Sequence, residues 1–137
     1  MAVLSFNPPN TPPPAPGFSH ATRARGDIVH VSGQVGVDES GAVVPGGLAA
    51  QAEQALINLC RAVEAAGAQA EDLVSVRFYV VNWKAELFSE LTAGGEAASR
   101  KYSFPEMAVT LVGVASLFTP EHLIEVDGVA VVESADR

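Results

Sequence analysis

The chain has 137 residues, of which 48% are hydrophobic and 18% charged, and 8 basic against 16 acidic residues give a formal net charge of −8. This length and composition suit one globular domain with a real core, and the negative charge argues against nucleic-acid binding. The single cysteine cannot form an internal disulfide, the first 17 residues do not resemble a signal peptide, and no apolar run approaches the roughly 20 residues of a membrane span. A soluble cytoplasmic protein without a membrane partner is therefore expected.

The chain begins with a proline-rich stretch, "NPPNTPPPAP", at residues 7–16. Proline has no backbone N–H to donate and fixes φ, so this stretch is typical of an extended arm. We predict an arm and a first strand within residues 1–16, followed by a single domain over residues 17–137. The arm is interpreted as a connector rather than as a ligand for a proline-reading domain.

Extended segments and a long helix are predicted next. "FSHATRA" and "DIVHVSG" are typical of strands around a turn at residues 25–27, and "QVGVDESGAVV" adds an extended piece with a turn at residues 39–41. "GGLAAQAEQALINLCRAVEAAG" has apolar residues at helical spacing. Gly67 follows this segment, where glycine suits a left-handed helix cap.

The second half predicts one strand, one weaker helix and two closing strands. "DLVSVRFYVV" alternates as a strand, whereas the helix over residues 84–101 contains Gly94 and Gly95, each unfavourable by about 1 kcal/mol relative to alanine. "FPEMAVTLVGVASLF" and "HLIEVDGVAVVE" are the closing strands. This order predicts an α+β fold with a mixed sheet of about six strands and two helices on one face. The apolar face left uncovered predicts an oligomer.

Few residues carry the pattern of a chemical site. The three histidines are scattered without metal-ligand spacing, so no metal is expected, and Cys60 lies within a helical segment as a packed small residue. Glu125 and Asp127 share one side of the last strand, which fits an acid/base pair or an exposed edge. Apolar neighbours favour partial desolvation of Glu125, which makes a carboxyl group a better proton carrier.

"SGQ" at residues 32–34 ends a predicted strand. The glycine leaves backbone N–H groups approachable, so a ligand carboxylate could dock on Ser32 and Gly33. A turn glycine between polar residues is the simpler interpretation of the same spacing.

Taken together, these segments resemble the Rid family, also called the YjgF family. "GFSHA" is similar to its GPYSQA segment, "VHVSGQVGVDESGAVV" to its strand ending in SGQ, and "QAEQALINLCRAVEAAGAQAEDLVSVRFYVV" to its Q-x3-AL-x-NL helix and following strand. "VTLVGVASL" and "HLIEVDGVAVV" resemble its closing strands. The resemblance covers residues 17–132.

The resemblance implies a chorismate-mutase-like α+β fold and a homotrimer with three pockets between subunits. In the best-known branch of the family, such pockets hydrolyse reactive enamine or imine intermediates to 2-keto acids and ammonia. That mechanism uses no metal and no organic cofactor, so the partners implied are a small molecule and two further copies of the chain.

The resemblance also implies which residues form the pocket. Glu125 matches the glutamate that handles water, and Ser32 and Gly33 match the backbone docking point. The family's substrate-binding arginine, in its P-A-R-[ST] signature, is replaced by Val109. The implied ligand-binding positions are Phe18 (in place of tyrosine), Ser32, Gly33, Thr92 (in place of asparagine), Val109 and Leu111, and His20 replaces a glutamine.

The valine at position 109 decides between the functional hypotheses, because a guanidinium binds a carboxylate through two charge-assisted hydrogen bonds and valine offers none. The leading hypothesis is a trimer that binds a small, uncharged or weakly acidic ligand and hydrolyses or tautomerises it through Glu125. A non-catalytic metabolite sensor or protein-stabilising module is the second hypothesis. The third is a 2-iminobutanoate/2-iminopropanoate deaminase that uses a substitute cation from Arg23, Arg77 or Arg100.

Overall fold

The computed structural model describes residues 3–134. Residues 1–2 of the predicted arm and residues 135–137 of the predicted domain lie outside this range. The strands are β1 (Leu4–Phe6), β2 (Phe18–Ser19), β3 (Ala21–Arg23), β4 (Asp27–Val35), β5 (Leu73–Val81), β6 (Met107–Val114) and β7 (Ile124–Val132), and the helices are α1 (Gly47–Ala65) and α2 (Phe88–Ser99). Single turns of 3-10 helix at Ala70–Asp72 and Ala85–Leu87 precede β5 and α2.

Five of the strands form one mixed sheet in the order β2-β6-β5-β7-β4. β6 runs parallel to β2 and β5, whereas β7 is antiparallel to β5 and β4. The predicted α+β class and mixed sheet are confirmed. The sheet has five strands instead of about six because β1 and β3 pair with each other in a separate two-stranded ribbon.

Helix α1 forms where the apolar periodicity predicts it. One stripe of the helix is buried, including Leu48, Ala52, Leu59 and Val63, because a helix with apolar residues three and four apart has one face to pack against a sheet. Gly67 has φ +88° just beyond the helix end, a left-handed conformation that glycine adopts without a Cβ penalty.

The sheet has two faces with different surroundings, and β5 illustrates both. Val76, Phe78 and Val80 belong to the buried core with the apolar stripe of α1, and we call this side of the sheet the helix face. Arg77 and Tyr79 alternate with them and lie on the opposite side, which we call the open face. On β7, Asp127 pairs with Arg77 and Glu125 pairs with Tyr79. Val129 and Val131 lie on the same face of β7 as these two carboxylates.

In the part of the chain that the structure describes, neither helix has the length and apolar character needed to cross a bilayer.

The two adjacent glycines of α2 have different surroundings and make a matched pair of variants. A Cβ on Gly94 would lie 2.5 Å from the carbonyl oxygen of Ala49 and 2.6 Å from Cβ of Ala52, whereas nothing lies within 4 Å of a Cβ on Gly95. We expect Gly94→Ala to lower the free energy of unfolding by about 1–3 kcal/mol through overpacking. Gly95→Ala should raise it by about 0.5–1 kcal/mol through helix propensity. Urea denaturation of both variants tests this contrast, and equal stabilisation by both would contradict the close packing of α2 on α1.

Candidate functional site

Glu125 and Gly33 lie against each other where β7 pairs with β4. The β4–β7 register pairs Val31 with Gly128 and Gln34 with Val126, so Ser32 and Gly33 form an irregular, bulged segment between these pairs. A Cβ on Gly33 would lie 2.5 Å from Oε2 of Glu125, so only glycine leaves room for the carboxylate in this position. We call Ser32, Gly33 and Glu125 the carboxylate corner. The structure therefore places Gly33 next to Glu125, with Ser32 adjacent in the chain, and the family resemblance assigns these three residues to one pocket.

The other predicted ligand-binding residues lie on different elements. Phe18 pairs with Met107 across β2 and β6 and is 37% exposed. Val109 and Leu111 pair with core residues of β5 and pack against the core, which places their side chains on the helix face. We call Phe18, Val109 and Leu111 the apolar edge. Thr92 is exposed on α2, a helix that packs on α1.

The carboxylate corner and the apolar edge are separated within one chain. Glu125 pairs with Tyr79 on the open face, whereas Val109 pairs with Val76 on the helix face. Strand β5 lies between β6 and β7, a separation of about 10 Å at the usual strand spacing. A single pocket that contains both groups therefore requires more than one copy of the chain.

A polar network that the sequence analysis did not identify occupies the middle of the open face. Arg77 Nε donates to Asp127 Oδ1 at 3.0 Å, Arg77 Nη2 donates to Asp127 Oδ2 at 3.4 Å, and the Tyr79 hydroxyl donates to Asp127 Oδ2 at 3.0 Å. These bonds raise the pKa of Arg77, and burial followed by the Asp127 bond raises the pKa of Tyr79. Because Arg77 and Tyr79 hold Asp127, Glu125 is the freer of the two carboxylates on this strand.

A cavity of about 330 Å³ lies beside this network. Its lining includes Arg77, Asp127, Ser75, His20 and Val109, but no member of the carboxylate corner. Within one chain the cavity is therefore separate from the carboxylate corner. Val109 is the only predicted ligand-binding residue that borders it.

The three candidate substitute cations have different environments. Arg77 borders the same cavity as Val109 but is already paired with Asp127. The Arg23 guanidinium lies 5.2 Å from the centre of the Phe6 ring, on the β1–β3 ribbon. Arg100 is exposed just after the end of α2. Of the three, Arg77 is the one that lines the same cavity as Val109.

Cys60 is buried in α1, and burial followed by the nearby charge of Glu64 raises the pKa of its thiol to about 12. The thiolate is the reactive form of cysteine, so this side chain is a poor nucleophile.

Among residues 3–134 no group of three or more histidine, cysteine, aspartate or glutamate side chains is arranged to hold a metal ion.

Comparison with known proteins agrees with this architecture. The family model described as Endoribonuclease L-PSP matches residues 9–132. The chain is 31% identical over 127 residues to a 2-iminobutanoate/2-iminopropanoate deaminase of Dermatophagoides farinae, which covers 91% of this chain and 93% of that protein.

Two solved structures extend the likeness to the whole fold. The chain is similar to the Rid family protein YyfB of Yersinia pestis, with a TM-score of 0.85, 32% identity and coverage of 96% of this chain and 100% of that one. It is also similar to the YjgF gene product of E. coli, with a TM-score of 0.68, 29% identity and coverage of 93% and 98%. These likenesses confirm the predicted chorismate-mutase-like fold.

The burial of Cys60 predicts how its thiol responds to pH and to reagents. Because the folded pKa is raised from an ordinary 9.0 to about 12, the folded state holds the proton more tightly than the unfolded state does. The stabilising contribution is complete below pH 9 and is lost as the pH rises from 9 to about 12. We expect the thiol to react with Ellman's reagent at pH 8 only as fast as the chain unfolds. Reaction at the rate of a free thiol in the folded protein would contradict this burial.

Proposed function

Because the chain belongs to the Rid family, also called the YjgF family, we propose that it hydrolyses a small imine or enamine that is uncharged or weakly acidic, with Glu125 as the proton carrier. In this reaction water adds to the carbon of the C=N bond, and the C–N bond then breaks to give a carbonyl compound and ammonia. The Glu125 carboxylate carries the two protons of the attacking water to the nitrogen in turn, one as the C–O bond forms and one as the C–N bond breaks.

The observation that carries this proposal is the position of the Glu125 carboxylate against Gly33. The carboxylate lies beside an irregular strand segment in which residue 33 contributes no side chain of its own. Bulged segments occur often beside active sites, where they expose backbone groups and redirect side chains. A substrate docked on this backbone would meet the proton carrier directly.

The proposal includes a pocket that is completed by a neighbouring copy in a homotrimer. One chain holds the carboxylate corner and the apolar edge on opposite faces of the sheet, two strands apart. The open face also carries apolar side chains such as Val112, which is 39% exposed. Packing of this face against other copies would bury these side chains and bring the apolar edge of one chain towards the carboxylate corner of another.

The apolar edge sets the class of substrate. Phe18, Val109 and Leu111 offer hydrophobic contact but no charge, and Glu125 would repel an anion. A substrate that carries a carboxylate would lose its hydration without gaining a cationic partner, which is unfavourable. A neutral imine with a short apolar substituent fits these surroundings. The formal charge of −8 disfavours RNA as the substrate.

Glu125→Gln tests the proposed proton transfer, since the amide is similar in shape but cannot accept the proton. We expect kcat for 2-iminopropane, generated in the assay by an amine oxidase, to fall by about 100-fold or more. Ammonia release, corrected for spontaneous hydrolysis, is the measurement. Sedimentation equilibrium at the assay concentration provides the control for assembly. An active monomer would contradict the shared pocket, and ligand binding without turnover in the unaltered protein would favour a sensor.

A second candidate function is deamination of 2-imino acids with Arg77 as the substitute cation. It is favoured by one observation, namely that Arg77 borders the same cavity as Val109. Against it stands the pairing of this guanidinium with Asp127, which a substrate carboxylate would have to displace.

Turnover of 2-iminopropanoate separates the two candidates. If the leading proposal holds, kcat/KM for this anion is at least about tenfold below that for 2-iminopropane. Val109→Arg should then raise kcat/KM for the anion by about 10- to 100-fold, whereas Val109→Met, which has bulk but no charge, should not. If the second candidate holds, the anion is the better substrate of the unaltered protein and Arg77→Gln removes its turnover.

A further inference from the structure

Two side-chain amides of α1, Gln51 and Asn58, connect this helix to the backbone on both sides of the carboxylate corner. They belong to the "QAEQALINL" segment, and they are seven residues apart, so they project from the same side of the helix. Gln51 is only 4% exposed, although its side chain is polar. Neither residue touches the proposed reacting groups, so the burial of Gln51 and the hydrogen bonds of the half-buried Asn58 have another explanation.

Gln51 binds the segment that leads into β7. Its Oε1 accepts a hydrogen bond from the Leu123 N–H at 2.9 Å, and its Nε2 donates to the Glu121 carbonyl at 3.0 Å. Leu123 is two residues before Glu125. The end of β4 lies close to the same point, because a Cβ on Gly36 would be 2.6 Å from Cα of Gln51.

Asn58 binds the strand on the other side of the corner. Its Nδ2 donates to the carbonyl of Val35 at 3.0 Å and to the carbonyl of Val37 at 2.9 Å, so both of its amide hydrogens have acceptors. Val35 is the residue of β4 that pairs with Glu125. Gln54 Nε2 donates to Asn58 Oδ1 at 3.0 Å, which fixes the orientation of the Asn58 amide.

We propose that Gln51 and Asn58 are positioning residues that set the distance between the Glu125 carboxylate and the backbone of Ser32 and Gly33. A bulge interrupts the regular ladder between β4 and β7 at residues 32 and 33, and pairing resumes only at Gln34 and Val35, so no ladder pair holds these two residues at a fixed distance from Glu125. The two amides replace that restraint, because a single rigid helix binds both strands within two residues of the corner. This inference rests on the proposed role of Glu125 as proton carrier.

The chemistry requires such a restraint because proton transfer depends steeply on the separation of the groups. Displacement of a catalytic group by about 1 Å can lower a rate by about 100-fold. Loss of either amide would let one strand shift relative to the other at the bulge while leaving the apolar core of the sheet intact. The expected result is therefore a lower kcat with little change in KM.

Asn58→Asp is the primary test, since it keeps the shape of the side chain but removes both donated hydrogen bonds. Gln51→Met is the second variant, and it keeps the length of the side chain. Val63→Ala is the control, because it removes buried apolar volume in the last turns of α1 without altering either amide. The variants are compared at temperatures at which each is equally far below its own melting temperature.

Two readouts are measured on each protein, namely the NMR shifts of the Glu125 carboxyl carbon and the Gly33 amide, and kcat and KM for 2-iminopropane. We expect both amide variants to change the shifts and to lower kcat by about 10- to 100-fold with KM altered less than threefold. Val63→Ala should leave all of these values near those of the unaltered protein.

The two readouts separate failure of this inference from failure of the proposed function. Shifts and kcat that change no more in Asn58→Asp and Gln51→Met than in Val63→Ala would overturn the positioning role. If the unaltered protein has no turnover but the shifts change in the amide variants only, the positioning of the corner is supported and the proposed reaction is wrong. If an amide variant does not fold, the other variant decides the question.

Discussion

The contact between the Glu125 carboxylate and the backbone of Gly33 is the constraint on which the candidate site depends. It requires a residue without Cβ at position 33 and a bulge that moves residues 32 and 33 out of the regular ladder. It also requires that β7 has a fixed position relative to β4. Each requirement is met by a different part of the chain. Strand β4 supplies the glycine, the β4–β7 register produces the bulge, and in our proposal the amides of α1 fix the relative position of the two strands. The site is thus a product of helix-to-sheet packing as much as of the two strands.

The open face of the sheet combines two tendencies that act in opposite directions. Exposed apolar side chains favour burial against other copies, whereas the Arg77–Asp127 pair loses hydration when it is buried. The Tyr79 hydroxyl reduces this cost, because it gives Asp127 a second partner and leaves fewer lone pairs unsatisfied. Mutual pairing of these groups within the chain makes the face compatible with an interface. It also leaves Glu125 as the carboxylate on that strand that neither Arg77 nor Tyr79 binds.

The sequence predicted those features that depend on local periodicity, and it was less informative where distant residues meet. The spacing of apolar residues predicted helix α1, because one face of the helix is apolar and the other polar. The position of Gly67 after that segment predicted the helix cap. β6 is apolar on both sides, so its pattern did not reveal that Val109 faces the helices while Thr110 faces away. The Arg77–Asp127 pair was missed for a related reason, since two residues 50 positions apart become neighbours only through strand register. Family resemblance supplied the residues of the carboxylate corner, and the register explains why they meet.

In the proposed site, the absence of a cation at position 109 changes the demands on the other residues. When an arginine holds a substrate carboxylate, much of the orientation of the substrate comes from that one bidentate contact. A site that relies on Val109 has only shape and backbone hydrogen bonds for orientation, and both are weaker and more sensitive to small displacements. A neutral substrate would therefore depend more strongly on a fixed geometry between Gly33 and Glu125. This dependence gives the amides of Gln51 and Asn58 a proposed role beyond stability, because they bind the two strands that carry Glu125 and Gly33.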